Sequence, residues 1–238
     1  MRYLIVCGGK IDKEFGLNEI KTDGIDAIIA ADSGMDFLYE NGVTPDIIVG
    51  DFDSATTKAL EFFERKGQTE IHRLNPIKDD TDTEYAIRLA ISEGARSIVM
   101  LGATGSRIDH VLGNISLLGI GLESKTDISI IDTNNRIRMA DKPVTIEKSA
   151  QYGRFVSLIA VTDDNEVSLR GFKYPVTDYS FDRFTSLGIS NEISIEENLS
   201  LLSQKIDFLG VLVYYGFRII SEKPDYRRID IHCVGFGT

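Results

Sequence analysis

Short β-branched runs alternate with stretches of helical periodicity over the first 140 or so residues. Residues 3–7, 27–30, 47–49, 71–74, 97–101 and 128–131 read as strands. Residues 33–41 read as a helix with Ser33 as N-cap and Gly42 past its end, and 55–66 as a helix stopping at Gly67. A third helix opens at the capping box Thr81-Asp82-Thr83-Glu84 and runs through Ile87, Ala90 and Ile91 to Gly94. A fourth places Ile108, Val111, Leu112, Ile115 and Leu118 on one face, as a core-facing stripe would require. Strands alternating with helices predict a parallel sheet with helical crossovers.

After Lys142-Pro143 the helical period disappears. Alternating stretches at 144–148, 154–161, 166–170, 192–196 and 211–215 replace it, with turn chemistry at Thr162-Asp163-Asp164-Asn165. The expected organisation is therefore an α/β domain over 1–142, an all-β domain over 143–216 and a tail of uncertain assignment over 217–238. Arg218, Lys223, Arg227 and Arg228 of that tail read as a solvated face.

Acidic residues recur where the predicted strands end: Asp32, Asp51 and Asp53, Asp79, Asp80 and Asp82, Asp109, and Asp132. In an open parallel sheet those ends share one edge, which is where ligands bind. Each Asp alone has a ready explanation as a helix cap. As a set they imply a cation, because ionised carboxylates crowded into one crevice repel. Hard oxygen donors without a nearby Cys or His pair point to Mg²⁺, which takes one or two carboxylates and completes its shell with water and substrate phosphate. Residues 102–107, Gly-Ala-Thr-Gly-Ser-Arg, follow the fifth strand and open a helix, so their backbone N–H groups suit a phosphate, although the P-loop pattern is absent.

Composition narrows the partners. The chain of 238 residues is 42% hydrophobic and 26% charged, a globular balance. Its formal charge of −11, with Lys and Arg unclustered, argues against a nucleic-acid partner. The longest uncharged apolar run, 208–217, is about half the ~20 residues of a membrane span, and residues 3–7 are too few for a secretory signal. A cytoplasmic protein is expected, and Cys7 and Cys233 read as buried thiols.

Five motifs in order, Gly50-Asp51-Phe52-Asp53-Ser54, Asp79-Asp80-Thr81-Asp82-Thr83-Glu84, residues 102–110, Gly171-Phe172-Lys173-Tyr174-Pro175 and residues 186–192, resemble the thiamine pyrophosphokinase family from about residue 3 to 215. The resemblance implies an N-terminal α/β ATP domain, a C-terminal β-sandwich, and a homodimer that builds thiamine sites between subunits. It further implies that diphosphate passes from ATP to the thiamine hydroxyl, releasing AMP. On the matched motifs Asp51, Asp53, Asp79 and Asp82 face Mg²⁺ and phosphate, with Asp51, Asp53 and Asp82 as metal ligands. Arg107 and Asp109 sit beside the phosphates and the reacting hydroxyl. Asp32, Ser33, Thr104, Gly105 and His110 complete the substrate contacts, Ser190 and Asn191 form the thiamine-binding pair, and Phe172 and Tyr174 are candidate aromatic contacts for the thiamine cation. Two other readings stay open: a haloacid-dehalogenase-like phosphatase, whose DxDx pattern 51–54 imitates, and a non-catalytic sensor of nucleotide or thiamine diphosphate.

Overall fold

The computed structural model describes residues 1–52, 57–75, 80–147, 150–163, 165–194, 210–215 and 228–234. Its contacts divide the chain into two compact units, Met1–Asp132 and Thr133–Thr238.

The first unit runs β1 (Arg2–Val6), α1 (Lys13–Ile20), β2 (Ala27–Ala31), α2 (Gly34–Glu40), β3 (Ile47–Gly50), α3 (Thr57–Lys66), β4 (Glu70–Arg73), α4 (Asp82–Ser92), β5 (Ser97–Leu101), α5 (Ile108–Ser124) and β6 (Asp127–Ile131). The six strands lie in the order β6-β5-β1-β2-β3-β4, all parallel. Ile5, Val6, Ile29, Ala30, Ile48, Val49, Ile98 and Met100 are all inaccessible to solvent. Adjacent residues point to opposite faces, so both faces of the sheet are covered. Burying one such aliphatic side chain contributes about 1.5–3 kcal/mol.

Each strand and helix expected in this unit forms, with ends shifted by a few residues. The box at the start of α4 is half made. Thr81 Oγ1 accepts from Glu84 N (3.2 Å), but the Glu84 carboxylate pairs with Arg88 one turn on. Ser33 precedes α2 in helical geometry and makes no side-chain cap bond. The α5 stripe departs further from expectation: Leu118 is buried, whereas Ile108 and Leu112 are 67% and 59% exposed. Helix α1 was not anticipated, because eight residues with an interior glycine carry little helical signal. Asp12 starts it by accepting from Phe15 N (2.9 Å).

The second unit holds β7 (Asn135–Ala140), β8 (Val144–Glu147), β9 (Phe155–Ala160), β10 (Asn165–Leu169), β11 (Val176–Phe181), β12 (Asn191–Glu192), β13 (Gly210–Tyr215) and β14 (Arg228–Val234). They form two antiparallel layers, β12-β9-β13-β7 and β11-β10-β14-β8. The pairing Leu212↔Leu158 and Tyr214↔Val156 brings buried residues together across β13 and β9. The fold is thus α/β followed by a β-sandwich. Three strands lie beyond those expected: β7, β11 and β14. The last falls within 217–238 and pairs with both β10 and β8, so Arg228–Val234 is sheet, while Arg218, Lys223 and Arg227 lie outside the described residues.

Candidate active site

In the first unit β1 lies between β2 and β5, while the chain passes from β4 on one side of it to β5 on the other. Loops leaving such strands diverge at the C-terminal edge and open a crevice. A cleft of about 290 Å³ lies there, lined by residues 7–9, 31–33, 81–83 and 102–107 together with His110 and Asn114.

Two of its walls interlock at glycines. A Cβ on Gly9 would lie 2.3 Å from Gly102 O, and Gly102 itself has φ 68 with Cys7 O 2.4 Å from where its Cβ would be. Only glycine lets the two backbones approach so closely. Gly9 N donates to Gly102 O (2.9 Å), joining the loops directly. Asn114 Nδ2 donates to Ala103 O, and Thr104 Oγ1 donates to Asp132 Oδ2, both at 2.8 Å. Asp132, read as part of the acidic rim, therefore braces the 102–107 loop. Arg107 stands at the N-cap of α5 and makes no side-chain cap bond, which suits the first-turn N–H groups to an anion.

Opposite this loop the carboxylates gather. Asp32 follows β2 in the left-handed region (φ 47), with its N–H donating to Val49 O (2.8 Å). Asp51 follows β3 and Asp82 is the first residue of α4. One oxygen from each of the three lies within 4.8 Å of the others, and all three residues are half-buried. Three hard anionic donors converging at this distance fit a hard divalent cation such as Mg²⁺. The third member, Asp32, belongs to the strand-end acidic set expected around a cation, although the matched motifs gave it only a substrate contact. Asp53 and Asp79 lie outside the described residues.

Of the remaining expected residues, Ser33, Thr104, Gly105, Arg107 and His110 line the cleft. Asp109 makes two hydrogen bonds with Arg107, at 2.7 and 3.3 Å, on an exposed surface. The guanidinium hydrogen bond holds the Asp109 carboxyl below the usual range. Sequence reading missed Cys7, Gly8, Gly9, Thr81, Thr83 and Asn114 as cleft residues. Gly8-Gly9 directly after a β-branched run was the available signal. Cys7 is no nucleophile: burial pushes its thiol up to about 12, only partly opposed by the Thr83 hydroxyl 3.8 Å from the sulfur.

In the second unit Ser190 is exposed at φ 60, and its N–H donates to Ser157 Oγ (2.9 Å). Asn191 is buried, and its amide clamps the Tyr174 backbone. Its Oδ1 accepts from Tyr174 N (3.1 Å) and its Nδ2 donates to Tyr174 O (2.8 Å). Phe172 is buried and Tyr174 is 60% exposed, with Lys173 Nζ 5.5 Å from the Tyr174 ring centroid. Glu192 bridges Arg154 and Lys173, whose hydrogen bonds lower its carboxyl.

A glycine-walled crevice at the switch point of a parallel sheet, with carboxylates facing an uncapped helix start, defines the first unit as that of a phosphate-handling enzyme. The family profile described as thiamin pyrophosphokinase, catalytic domain, matches residues 21–131, and that described as thiamin pyrophosphokinase, vitamin B1 binding domain, matches 143–203. The thiamine pyrophosphokinase of Bacillus subtilis (strain 168) is 36% identical over 167 residues, spanning 69% of this chain and 77% of the relative. The crystal structure of thiamine pyrophosphokinase from Bacillus subtilis superposes with a TM-score of 0.72 at 28% identity, covering 99% of this chain and 100% of that one. That of thiamin pyrophosphokinase from Geobacillus thermodenitrificans gives 0.68 at 26% identity, covering 98% and 97%. The chain belongs to the thiamine pyrophosphokinase family.

Proposed function

We propose that the cleft carries out diphosphoryl transfer from ATP to thiamine with Mg²⁺ held by Asp32, Asp51 and Asp82. The observation that carries this reading is the convergence of three carboxylate oxygens within 4.8 Å opposite a glycine-interlocked loop that opens a helix. When bound, the cation neutralises polyphosphate charge. The thiamine hydroxyl attacks the β-phosphorus, releasing its proton to water and forming the new O–P bond as the bond to the α-phosphate oxygen breaks, and AMP leaves. Such transfer asks for in-line positioning and charge stabilisation and no nucleophilic side chain, in keeping with the inert Cys7. The N–H groups at the start of α5 and Arg107 receive the phosphates, while Asp109 orients the hydroxyl end of thiamine. On the matched motifs Asp53 and Asp79 are assigned to the same Mg²⁺ and phosphate chemistry.

Thiamine is held by the second unit. Ser190 supplies an exposed hydroxyl, Asn191 fixes the backbone that presents Tyr174, and the Tyr174 ring offers its face to the thiamine cation. A homodimer places this surface of one subunit at the cleft of the other. The exposed apolar residues Ile108 and Leu112, flanking cleft-lining His110, support a covered face there. No described helix is long and apolar enough to cross a membrane, and dependence on ATP supports a cytoplasmic location. The phosphatase alternative fits less well, since its nucleophilic Asp belongs on the first strand, whereas β1 here leads into Cys7 and Gly8.

Incubation with ATP, Mg²⁺ and thiamine is expected to yield AMP and thiamine diphosphate in equal amounts, and nothing after chelation. ADP with thiamine monophosphate would overturn the transfer mechanism. Free phosphate as the product would establish the phosphatase reading, and tight ligand binding without turnover the sensor.

A further inference from the structure

Phe52, which follows Asp51 of the carboxylate triad, has φ 64. A bulky aromatic residue rarely takes a left-handed conformation, and keeps it only where surrounding groups hold it. The structure supplies those groups. Gly50 leaves room for the ring to fold back: a Cβ there would lie 3.1 Å from Phe52 Cε1 and 3.2 Å from Asp32 Cα. Across the β3/β4 ladder Gly50 is the register partner of Arg73, and Leu74 N donates to Gly50 O (2.9 Å). The Arg73 guanidinium carbon lies 5.4 Å from the Phe52 ring centroid, and the same guanidinium pairs with Glu64 of α3.

We infer that Arg73 and Phe52 are positioning residues for Asp51: the stacked guanidinium pins the ring over Gly50, and the pinned ring holds the 51–52 backbone in the turn that brings the Asp51 carboxylate to those of Asp32 and Asp82. Neither side chain contributes to the carboxylate triad itself. The inference rests on the reading of that triad as a divalent-cation site.

The test uses Mn²⁺ as the probe, titrated into metal-free full-length chain and followed by the paramagnetic resonance of the free ion. Asp51→Asn is expected to abolish binding at this site. Arg73→Ala is expected to weaken it about 2- to 5-fold, the scale of one exposed cation–π contact, with Arg73→Lys recovering part of the loss. Phe52→Gly relieves the positive φ while removing the ring. It should therefore keep or raise the melting temperature yet weaken Mn²⁺ binding about tenfold, as loss of an orienting partner does. In turnover, half-saturating Mg²⁺ should rise in Arg73→Ala while the KM for thiamine stays unchanged. Mn²⁺ affinity equal to wild type in both Arg73→Ala and Phe52→Gly would overturn the inference and leave the triad reading intact. Equal Mn²⁺ binding by wild type and Asp51→Asn would overturn the triad reading and the inference with it.

Discussion

Replacing Asp32 with Asn separates a metal-binding carboxylate from a structural one, because the two roles predict opposite signs in stability. Asn matches Asp in size and is also at ease in the left-handed region, so φ 47 is kept at little cost. What changes is charge. Two unit charges 4.8 Å apart, the upper limit of the spacing in the triad, repel by about 3.5 kcal/mol at an effective dielectric of ~20 and by about 0.9 kcal/mol at ~80. Asp32 faces two such neighbours and is half-buried, so roughly 2 kcal/mol of repulsion disappears with its charge, taking the screened end of that range. For a chain of this size that corresponds to a melting temperature roughly 4–8 °C higher without divalent cations. Wild type should recover stability as Mg²⁺ is added, by about 1.4 kcal/mol at ten times its Kd, and the variant should respond little. Turnover should fall by at least ~10²-fold, as for loss of one transition-state contact. Thermal melts with and without Mg²⁺, alongside AMP release, make the measurement. A variant destabilised equally in both conditions would show Asp32 to be structural and refute the reasoning.

Gly102→Ala forces a Cβ to 2.4 Å from Cys7 O at φ 68. Expected are a loss of roughly 1–3 kcal/mol in stability and weaker ATP binding, both read from melts with and without nucleotide; an unchanged melting temperature would deny the interlock. The Cys7 thiol, raised from 9.0 to about 12 by burial, should resist alkylation at pH 8 in the folded protein, as mapped by mass spectrometry. Because its folded value is raised, its contribution to stability is complete below about pH 9 and is lost as pH climbs towards 12. Tyr3, pushed up to about 12 from 10.0 by burial and by its hydrogen bond to Glu93, acts in the same direction.

The first unit was legible because its strands other than β4 are largely apolar runs and three of its helices end at glycines in the left-handed region, Gly42, Gly67 and Gly94. Strand β11 was not, since only Phe181 at its end is buried and Asp178 takes φ 48 within it, so it lacks an apolar alternation to read. Strand β14 did carry one, at Ile229, Ile231 and Cys233, but it lies beyond the span of the family resemblance. In the site, strand-end position singled out Asp32, Asp51 and Asp82 alike as part of a larger acidic set. What it lacked was the local geometry that brings these three together, since the left-handed turn at Asp32 leaves no periodic trace. Asn191 shows the converse limit: a motif position identified the residue, but only the structure shows its amide engaged with the Tyr174 backbone.

Helix α5 shows why periodicity alone cannot say what an apolar stripe faces. Ile108, Val111, Leu112, Ile115 and Leu118 satisfy the spacing of a core-facing helix, yet burial is graded along it, from Leu118 inside to Leu112 and Ile108 outside. The exposed end is also the cleft end, beside His110 and Arg107. A stripe of this kind is satisfied equally by a core or by a second subunit, because both remove the same apolar area from water. If a second copy covers it, Ile108→Ser with Leu112→Ser should shift the sedimentation mass from dimer to monomer, while the melting temperature of the monomer changes little, since neither side chain is in the core. Activity should fall with the loss of the dimer, because thiamine recognition by the second unit is then separated from the partner's cleft. A wild-type chain that sediments as an active monomer would remove the second subunit from the site and require the second unit of the same chain to supply Ser190 and Tyr174.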